Sequence, residues 1–468
     1  MPPEQVDKLD DPFAAAALRQ GEFPLSLKEV LSLLDRAGSV PHQKSYMVSE
    51  AGQIPPTAAG LSERDLRFAI VRGEKDSQAD LLISTGANGD PSVGFLQLAA
   101  WDTTQGLFNY YMRMEQTWVW TGDSYSALTP GSRGNGCFDS HVNGSVVMKE
   151  LKSPWLNWQS MRATIILADD DPLRQNPLWQ QLTGAEDLEI MITATVARWT
   201  AARLERAIAG GQVEHADWLL RQLCTTTTVN LASSEIESRV IVADPSTPLP
   251  LPLGLWFNND ALLDALQIPA DFIRPVAAGQ FYVDALSKYQ FALKEGAFRQ
   301  PGDSFFAFVI PEPALEDNNV IAQMVTLGLV NAHFAASVLM VDFTNPVFSA
   351  ARTQLMAYVP QAVELDADRG GMSGAIADAI SSAAPATPEG SPEREFAANW
   401  LMDDSQWPQV FAVRIQDYMS SVNSRISTAA GFDDYLGWPS PDAGSSGCGV
   451  STSSPSRSPQ PTSRRTHL

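Results

Sequence analysis

Leu107-Phe108-Asn109-Tyr110-Tyr111-Met112-Arg113-Met114 is followed by a break at Gln116 and then by Thr117-Trp118-Val119-Trp120-Thr121-Gly122. Both runs carry aromatic residues at alternate positions, the period of an extended chain and not of a helix. The two runs therefore predict an antiparallel hairpin. Phe108, Tyr110 and Met112 share one face, while Trp118 and Trp120 share one face of the second strand.

The same reading extends upstream. Leu66 to Arg72 before Gly73, Asp80 to Ser84, and Gly94 to Trp101 are short apolar runs joined by brief polar loops such as Gly86-Ala87-Asn88-Gly89-Asp90-Pro91. Short β-rich runs with tight connections predict an antiparallel meander. Residues 1–60 read as an irregular preface holding one helix. That helix opens after Ser26, carries Leu27, Leu31, Leu33 and Leu34, and closes at Gly38.

Downstream of the hairpin the pattern changes. Asp169-Asp170-Asp171-Pro172 reads as a turn into helix, after a predicted strand at 161–167 and a short helix at 145–152. Gly184 to Ile208 carries Leu188, Ile192, Val196, Trp199 and Leu204 near one stripe, and Gln212 to Cys224 carries a second stripe, which predicts a helical hairpin. Pro245 to Pro252 reads as a connector. Helices are expected after Asn259-Asp260, from Gly279 to Glu295 and over 318–329. Two apolar runs, 304–310 and 334–343, read as strands of a parallel pair around the last of these helices.

The expected whole is an α+β protein. It comprises an N-terminal helix and irregular segment (1–60), an antiparallel β-meander region with an aromatic-rich loop (61–170) and a helical middle (171–244). A mixed α/β region (253–360), an acidic linker (361–395) that is either mobile or holds a short helix near Gly374 to Ser382, C-terminal helices (396–437) and a disordered tail (438–468) follow.

Composition limits the function. The net charge of −22 arises from 54 acidic against 32 basic residues with no basic block, which argues against nucleic acid and anionic lipid as partners. No apolar run is long enough to span a bilayer, and Met1-Pro2-Pro3-Glu4 lacks a secretory leader's basic-then-apolar pattern. A cytoplasmic location is expected. The three cysteines, Cys137, Cys224 and Cys448, are too few and too scattered for a disulfide framework.

The densest cluster of reactive side chains follows the glycine-rich turn Gly131-Ser132-Arg133-Gly134-Asn135-Gly136. Cys137, Asp139 and His141 are the candidate catalytic residues, because a thiol nucleophile needs a base and the base needs an orienting partner. Trp118, Trp120 and Tyr110 are the candidate walls of a substrate pocket, with Arg133 and Asn143 as its polar contacts. The competing reading makes the aromatics core and His141 a buried structural imidazole. His215-Ala216-Asp217 has the spacing of an iron triad, with His333 as a distant third ligand, and His141 or His333 would be the axial ligand of a haem. No metal ligand set is assigned, and the cofactor is unknown. Carboxylates after the 304–310 run (Glu312, Glu316, Asp317) share an edge with Asp342 if the two strands are parallel.

Three readings remain open. The first is an intracellular enzyme acting on a small organic substrate near residues 101–158. The second is a non-catalytic binding or assembly protein using the aromatic surface. The third is a metal or haem oxidoreductase.

Overall fold

The computed structural model describes residues 3–49, 66–87, 96–132, 138, 141, 144–146, 151, 158–159, 161, 169–208, 211–224, 228–231, 245–246, 248–250, 266, 268, 276–289, 292–295, 298–301, 308–311, 315–343 and 350–432. The expected short helix at 145–152, the strand at 161–167 and the tail at 438–468 lie wholly or mainly outside them.

Six strands form one antiparallel sheet in sequence order: β1 (His42–Ser49), β2 (Leu66–Gly73), β3 (Leu81–Gly86), β4 (Leu96–Asp102), β5 (Leu107–Met114) and β6 (Thr117–Asp123). The meander expected from sequence is present, with one strand more than the reading placed. β1 falls in the stretch assigned to an irregular preface. Four consecutive polar residues, His42 to Ser45, hid it, and antiparallel pairing with β2 from His42↔Gly73 to Ser49↔Leu66 reveals it.

Register decides which side chains meet. One row across the sheet runs Ile70, Ile83, Leu98, Tyr111, Trp120, and the neighbouring row runs Val71, Leu82, Ala99, Tyr110, Gly122. Adjacent rows point to opposite faces. The two-residue turn at Glu115 and Gln116, with Glu115 at φ +53°, pairs Met114 with Thr117. That pairing sets Trp118 across from Arg113 and Trp120 across from Tyr111. A bulge at Thr121 then shifts the register before Gly122.

Both faces are covered. On the Tyr111 face lie α1 (Pro3–Val6), α2 (Pro12–Ala16) and α3 (Leu27–Ala37), whose Phe13, Val30, Leu33 and Leu34 join Phe68, Ile70, Ile83 and Leu98 in one buried cluster. Ser26 caps α3 through the amide of Glu29, as its sequence predicts, and Gly38 ends it in the left-handed region. On the Tyr110 face lies α5 (Ala185–Ile208), which follows the single turn α4 (Pro177–Gln180). Leu188, Met191, Ile192, Val196 and Trp199 of α5 pack with Val71, Phe108 and Tyr110.

The remainder of the chain builds a second core. It draws on α6 (Ala216–Cys224), α7 (Gly279–Tyr289), α8 (Leu315–Thr326), α9 (Ala332–Leu339), α10 (Ala350–Gln354), α11 (Ser373–Ala383), α12 (Pro392–Trp400) and α13 (Trp407–Ile426). Four two-stranded antiparallel pairs accompany these helices. They join β7 (Gln212–Glu214) to β14 (Ala362–Glu364), β8 (Thr228–Leu231) to β13 (Phe308–Pro311), β9 (Leu249–Pro250) to β10 (Val276–Ala277), and β11 (Ala292–Glu295) to β12 (Phe298–Pro301).

Four expectations are corrected here. Residues 212–214 are a strand, because Val213 pairs with Val363 and both are buried, and α6 begins only after His215. Residues 292–295 are likewise a strand, so the helix from Gly279 ends at Tyr289. The 334–343 run is helical through Leu339, capped by the Asn331 side chain on the amide of Phe334. Every residue from Phe334 to Leu339 is buried, so its composition carries no periodicity to separate helix from strand. The expected parallel pair is thus not formed, and β13 instead pairs antiparallel with β8. Finally, the 361–395 stretch is not a linker: it holds the strand at 362–364 and, as the alternative reading had it, a helix near 374–382, with Met372, Ile376, Ala377 and Ile380 buried in the second core. Small residues such as Gly374 and Ala377 let that helix sit close to its neighbours.

Trp199 is 2% exposed and meets Tyr125 edge-on at 5.2 Å. Trp199→Ala is expected to lower unfolding free energy by about 3–5 kcal/mol. Ile190→Lys on the same helix, at a side chain 72% exposed, is expected to change it by about 0.5 kcal/mol or less. Urea denaturation of both variants checks the pair.

Candidate functional site

The loop expected to carry chemistry is tied to the Tyr110 face of the sheet. Tyr110 Oη donates to the carbonyl of Gly144 at 3.0 Å, and Ser124 Oγ donates to the same oxygen at 2.7 Å. The Gly144 amide donates back to the His141 carbonyl at 2.9 Å, closing a turn. Gly144 stands at φ +72°, and a Cβ there would lie 2.4 Å from the Ser124 carbonyl oxygen. No other residue fits this anchor without displacing backbone.

That anchor ties the backbone at His141, a half-buried residue with its Nδ1 inside. The imidazole lies 5.5 Å from the Tyr110 ring centroid, tilted by 34°. Phe138 meets the other side of the Tyr110 neighbourhood edge-on at 5.5 Å. Gly122 makes room for it, since a Cβ at that position would lie 3.1 Å from the Phe138 ring. His141 and Tyr110 are therefore neighbours. Arg133, Cys137, Asp139 and Asn143 lie outside the described residues.

Trp118 and Trp120 are not in this neighbourhood. Their strand register sends both to the Tyr111 face, so the sheet itself separates them from Tyr110 and His141. Both indoles are engaged there. Trp118 Nε1 donates to the Pro24 carbonyl at 2.7 Å and its ring packs on Phe13, while Trp120 Nε1 donates to Asn109 Oδ1 at 3.0 Å. The expected grouping of Trp118, Trp120 and Tyr110 around one ligand is divided, with the Trp118 indole tied to the N-terminal segment and the Trp120 indole to β5.

Sequence reasoning passed over the polar groups buried on both faces. Asn109 also donates to Asp11 Oδ2 at 3.0 Å, and Tyr111 Oη donates to the same oxygen at 2.5 Å. On the Tyr110 face, Arg198 of α5 donates to Asp80 and to the Ala79 carbonyl, each at 2.7 Å, with its guanidinium 4.2 Å above the Trp101 ring. Tyr46 donates to Asp187 at 2.5 Å, and Lys44 pairs with the same carboxylate. Burial and the Asp187 carboxylate push the Tyr46 phenol far above its ordinary range, so it stays a donor at every working pH. Acidic residues this early in the chain, beside Pro12 or at a strand end, read as caps; only pairing across the sheet makes them buried.

The remaining reactive residues serve packing. His215 stands at φ +56° and stacks on Trp218 with ring centroids 4.0 Å apart. His333 lies against Trp400 and Trp407, with Nε2 at 3.1 Å from the Asn399 carbonyl and Nδ1 at 3.4 Å from Asp404. Among the described residues no three His, Cys, Asp or Glu side chains gather as a metal ligand set, and no helix is long and apolar enough to cross a membrane. Asp342 is not at a strand end. It sits at φ +52° just beyond α9, and its amide donates to Glu395 at 2.7 Å. The serine of Gly371-Met372-Ser373-Gly374 is fully buried, with its hydroxyl accepting the Asn331 amide at 2.9 Å.

Cys224 ends α6 in the second core. Burial pushes its thiol up to about 12, and the nearby Arg352 and Arg221 guanidinium groups offset this only in part. A thiol held protonated is a poor nucleophile. Iodoacetamide at about pH 8 is therefore expected to leave Cys224 unmodified in the folded protein and to alkylate it in denaturant, as read by peptide mass.

Comparison of the chain with protein-family models, with curated proteins and with solved structures finds no match.

Proposed function

We propose that the chain is an enzyme acting on a small organic substrate, with its site where the 131–146 loop crosses the Tyr110 face of the sheet. The observation that carries this reading is His141, a half-buried residue with its Nδ1 inside, next to a backbone anchored by three hydrogen bonds around Gly144. Imidazole exchanges protons near neutral pH, and a general acid or base works only when it is held in place. In this reading His141 moves the proton, Cys137 is the nucleophile, and Asp139 orients the imidazole. Arg133 and Asn143 bind an anionic or polar part of the substrate, and Tyr110 supports the imidazole from the sheet.

The sheet's division of the aromatics narrows the substrate. In this reading the substrate lies beside His141 and Tyr110, away from Trp118 and Trp120, where a compact ligand suits better than an extended one. The noncatalytic alternative would use the same loop for binding alone.

The test is a thermal-shift screen of small carboxylic acids, esters and amides, followed by mass spectrometry of each stabilising compound after incubation. His141→Gln should keep the near-ultraviolet circular dichroism and the ligand-induced shift, while turnover falls by about 10²–10⁴-fold. Binding without turnover by the wild type would establish the noncatalytic alternative. Collapse of the fold in His141→Gln would make the imidazole part of the core and end the proposal.

A further inference from the structure

We propose that residues 3–37 are a proton-controlled cover on the six-stranded sheet, docked through the Asp11 carboxyl group and held more tightly when that group gains a proton. The cover hides Tyr111 and half-buries Trp118 and Trp120, so its opening would change what the Tyr111 face presents.

Asp11 is 1% exposed and joins the two parts through both oxygens. Oδ1 accepts the amides of Phe13 at 3.0 Å and Ala14 at 2.9 Å, capping α2. Oδ2 accepts Tyr111 Oη at 2.5 Å and Asn109 Nδ2 at 3.0 Å, both from β5. Apolar groups close the site, with Phe13 stacked edge-on to Tyr111 at 5.1 Å and against Trp118 at 4.8 Å.

The charged and titratable groups around Asp11 are few. From β4 comes Asp102, fully buried, which accepts the Asp10 amide at 2.8 Å and the Gln105 amide at 2.8 Å. β5 contributes Tyr111, held well above its ordinary value chiefly by burial and then by Asp11, and Arg113, whose guanidinium donates to the Leu25 carbonyl. From the cover come Asp10 and Arg19, 3.7 Å apart. β2 adds a second tie, with Arg72 donating to Asp35 of α3 at 2.7 Å. Among the described residues no cation pairs with the Asp11 carboxylate, and Asp102 adds a like charge.

The sign follows from burial. Desolvation is the leading effect and raises Asp11 from 3.8 to about 6, against the hydrogen bonds from Tyr111, Ala14 and Asn109, while Asp102 raises it further. An undocked segment returns the carboxyl to its ordinary value. The docked form therefore binds the proton more tightly. This contribution to docking is fully present below about 3.8 and is lost as pH rises through about 6. Those two values make the opening equilibrium about tenfold larger at about pH 7 than at about pH 5.

Native-state amide exchange of the full chain reads this directly, with each rate divided by its intrinsic rate at that pH. Peptides covering residues 12–18 and 28–37 are expected to open about tenfold more at about pH 7 than at about pH 5. Peptides from α11 and α12 serve as the reference. Asp11→Asn should abolish the difference. If that variant loses protection at both pH values, Tyr111→Phe decides. Removing one donor to the ionised carboxylate should make the pH difference larger than in the wild type. A pH-independent opening in the wild type would overturn the proposal. So would a tenfold difference that survives in Asp11→Asn, or one that shrinks in Tyr111→Phe.

Discussion

Helix α5 is the constraint on which the rest of the structure depends. Its first half closes the Tyr110 face of the sheet with Leu188, Met191, Ile192 and Val196, while Leu204 near its end belongs to the second core. Three polar ties fix its position on the sheet side: Asp187 to Tyr46 and Lys44, and Arg198 to Asp80 beneath Trp101. On the other side Gln323 of α8 donates to the Ala197 carbonyl at 3.2 Å. A helix buried on most of its circumference cannot rotate without breaking both cores at once. Its apolar residues accordingly spread beyond one narrow stripe.

Burial of the sheet on both faces has a consequence for chemistry. An antiparallel sheet with one wet face can carry a binding surface across its strands. Here the aromatic residues of β5 and β6 are shared between two dry layers, so their area stabilises the fold. The polar atoms they bring inside must then be matched, and they are: Trp120 by Asn109, Tyr111 by Asp11, Tyr110 by Gly144. Phe138, His141 and Gly144, from the segment after β6, meet Tyr110 at the edge of that layer.

The same economy explains the distribution of charge. The strongly acidic chain keeps Asp11, Asp80 and Asp102 inside the sheet region, each with donors on its oxygens. Asp80 is answered by an arginine, Asp102 by backbone amides, and Asp11 by neutral donors alone among its hydrogen-bond partners. Neutral donors compensate a buried negative charge less fully than a cation does. Burial accordingly raises the Asp11 carboxyl from 3.8 to about 6.

What the sequence determined by itself was local: alternation for β2 to β6, capping at Ser26 and Gly38, and the stripe of α5. These signals are short-ranged, because a strand's two-residue period and a helix cap each depend on a few neighbours. Tertiary structure decided the rest. β1 opens with four polar residues and needed β2 to become a strand, 334–339 is buried throughout and needed a core to become a helix, and 362–364 needed β7 to become a strand. At the site, the pairing of His141 with Tyr110 followed the chain's own order. The separation of Trp118 and Trp120 from them came from strand register, since pairing Met114 with Thr117 sends alternate side chains to opposite sides of a sheet that composition alone cannot orient.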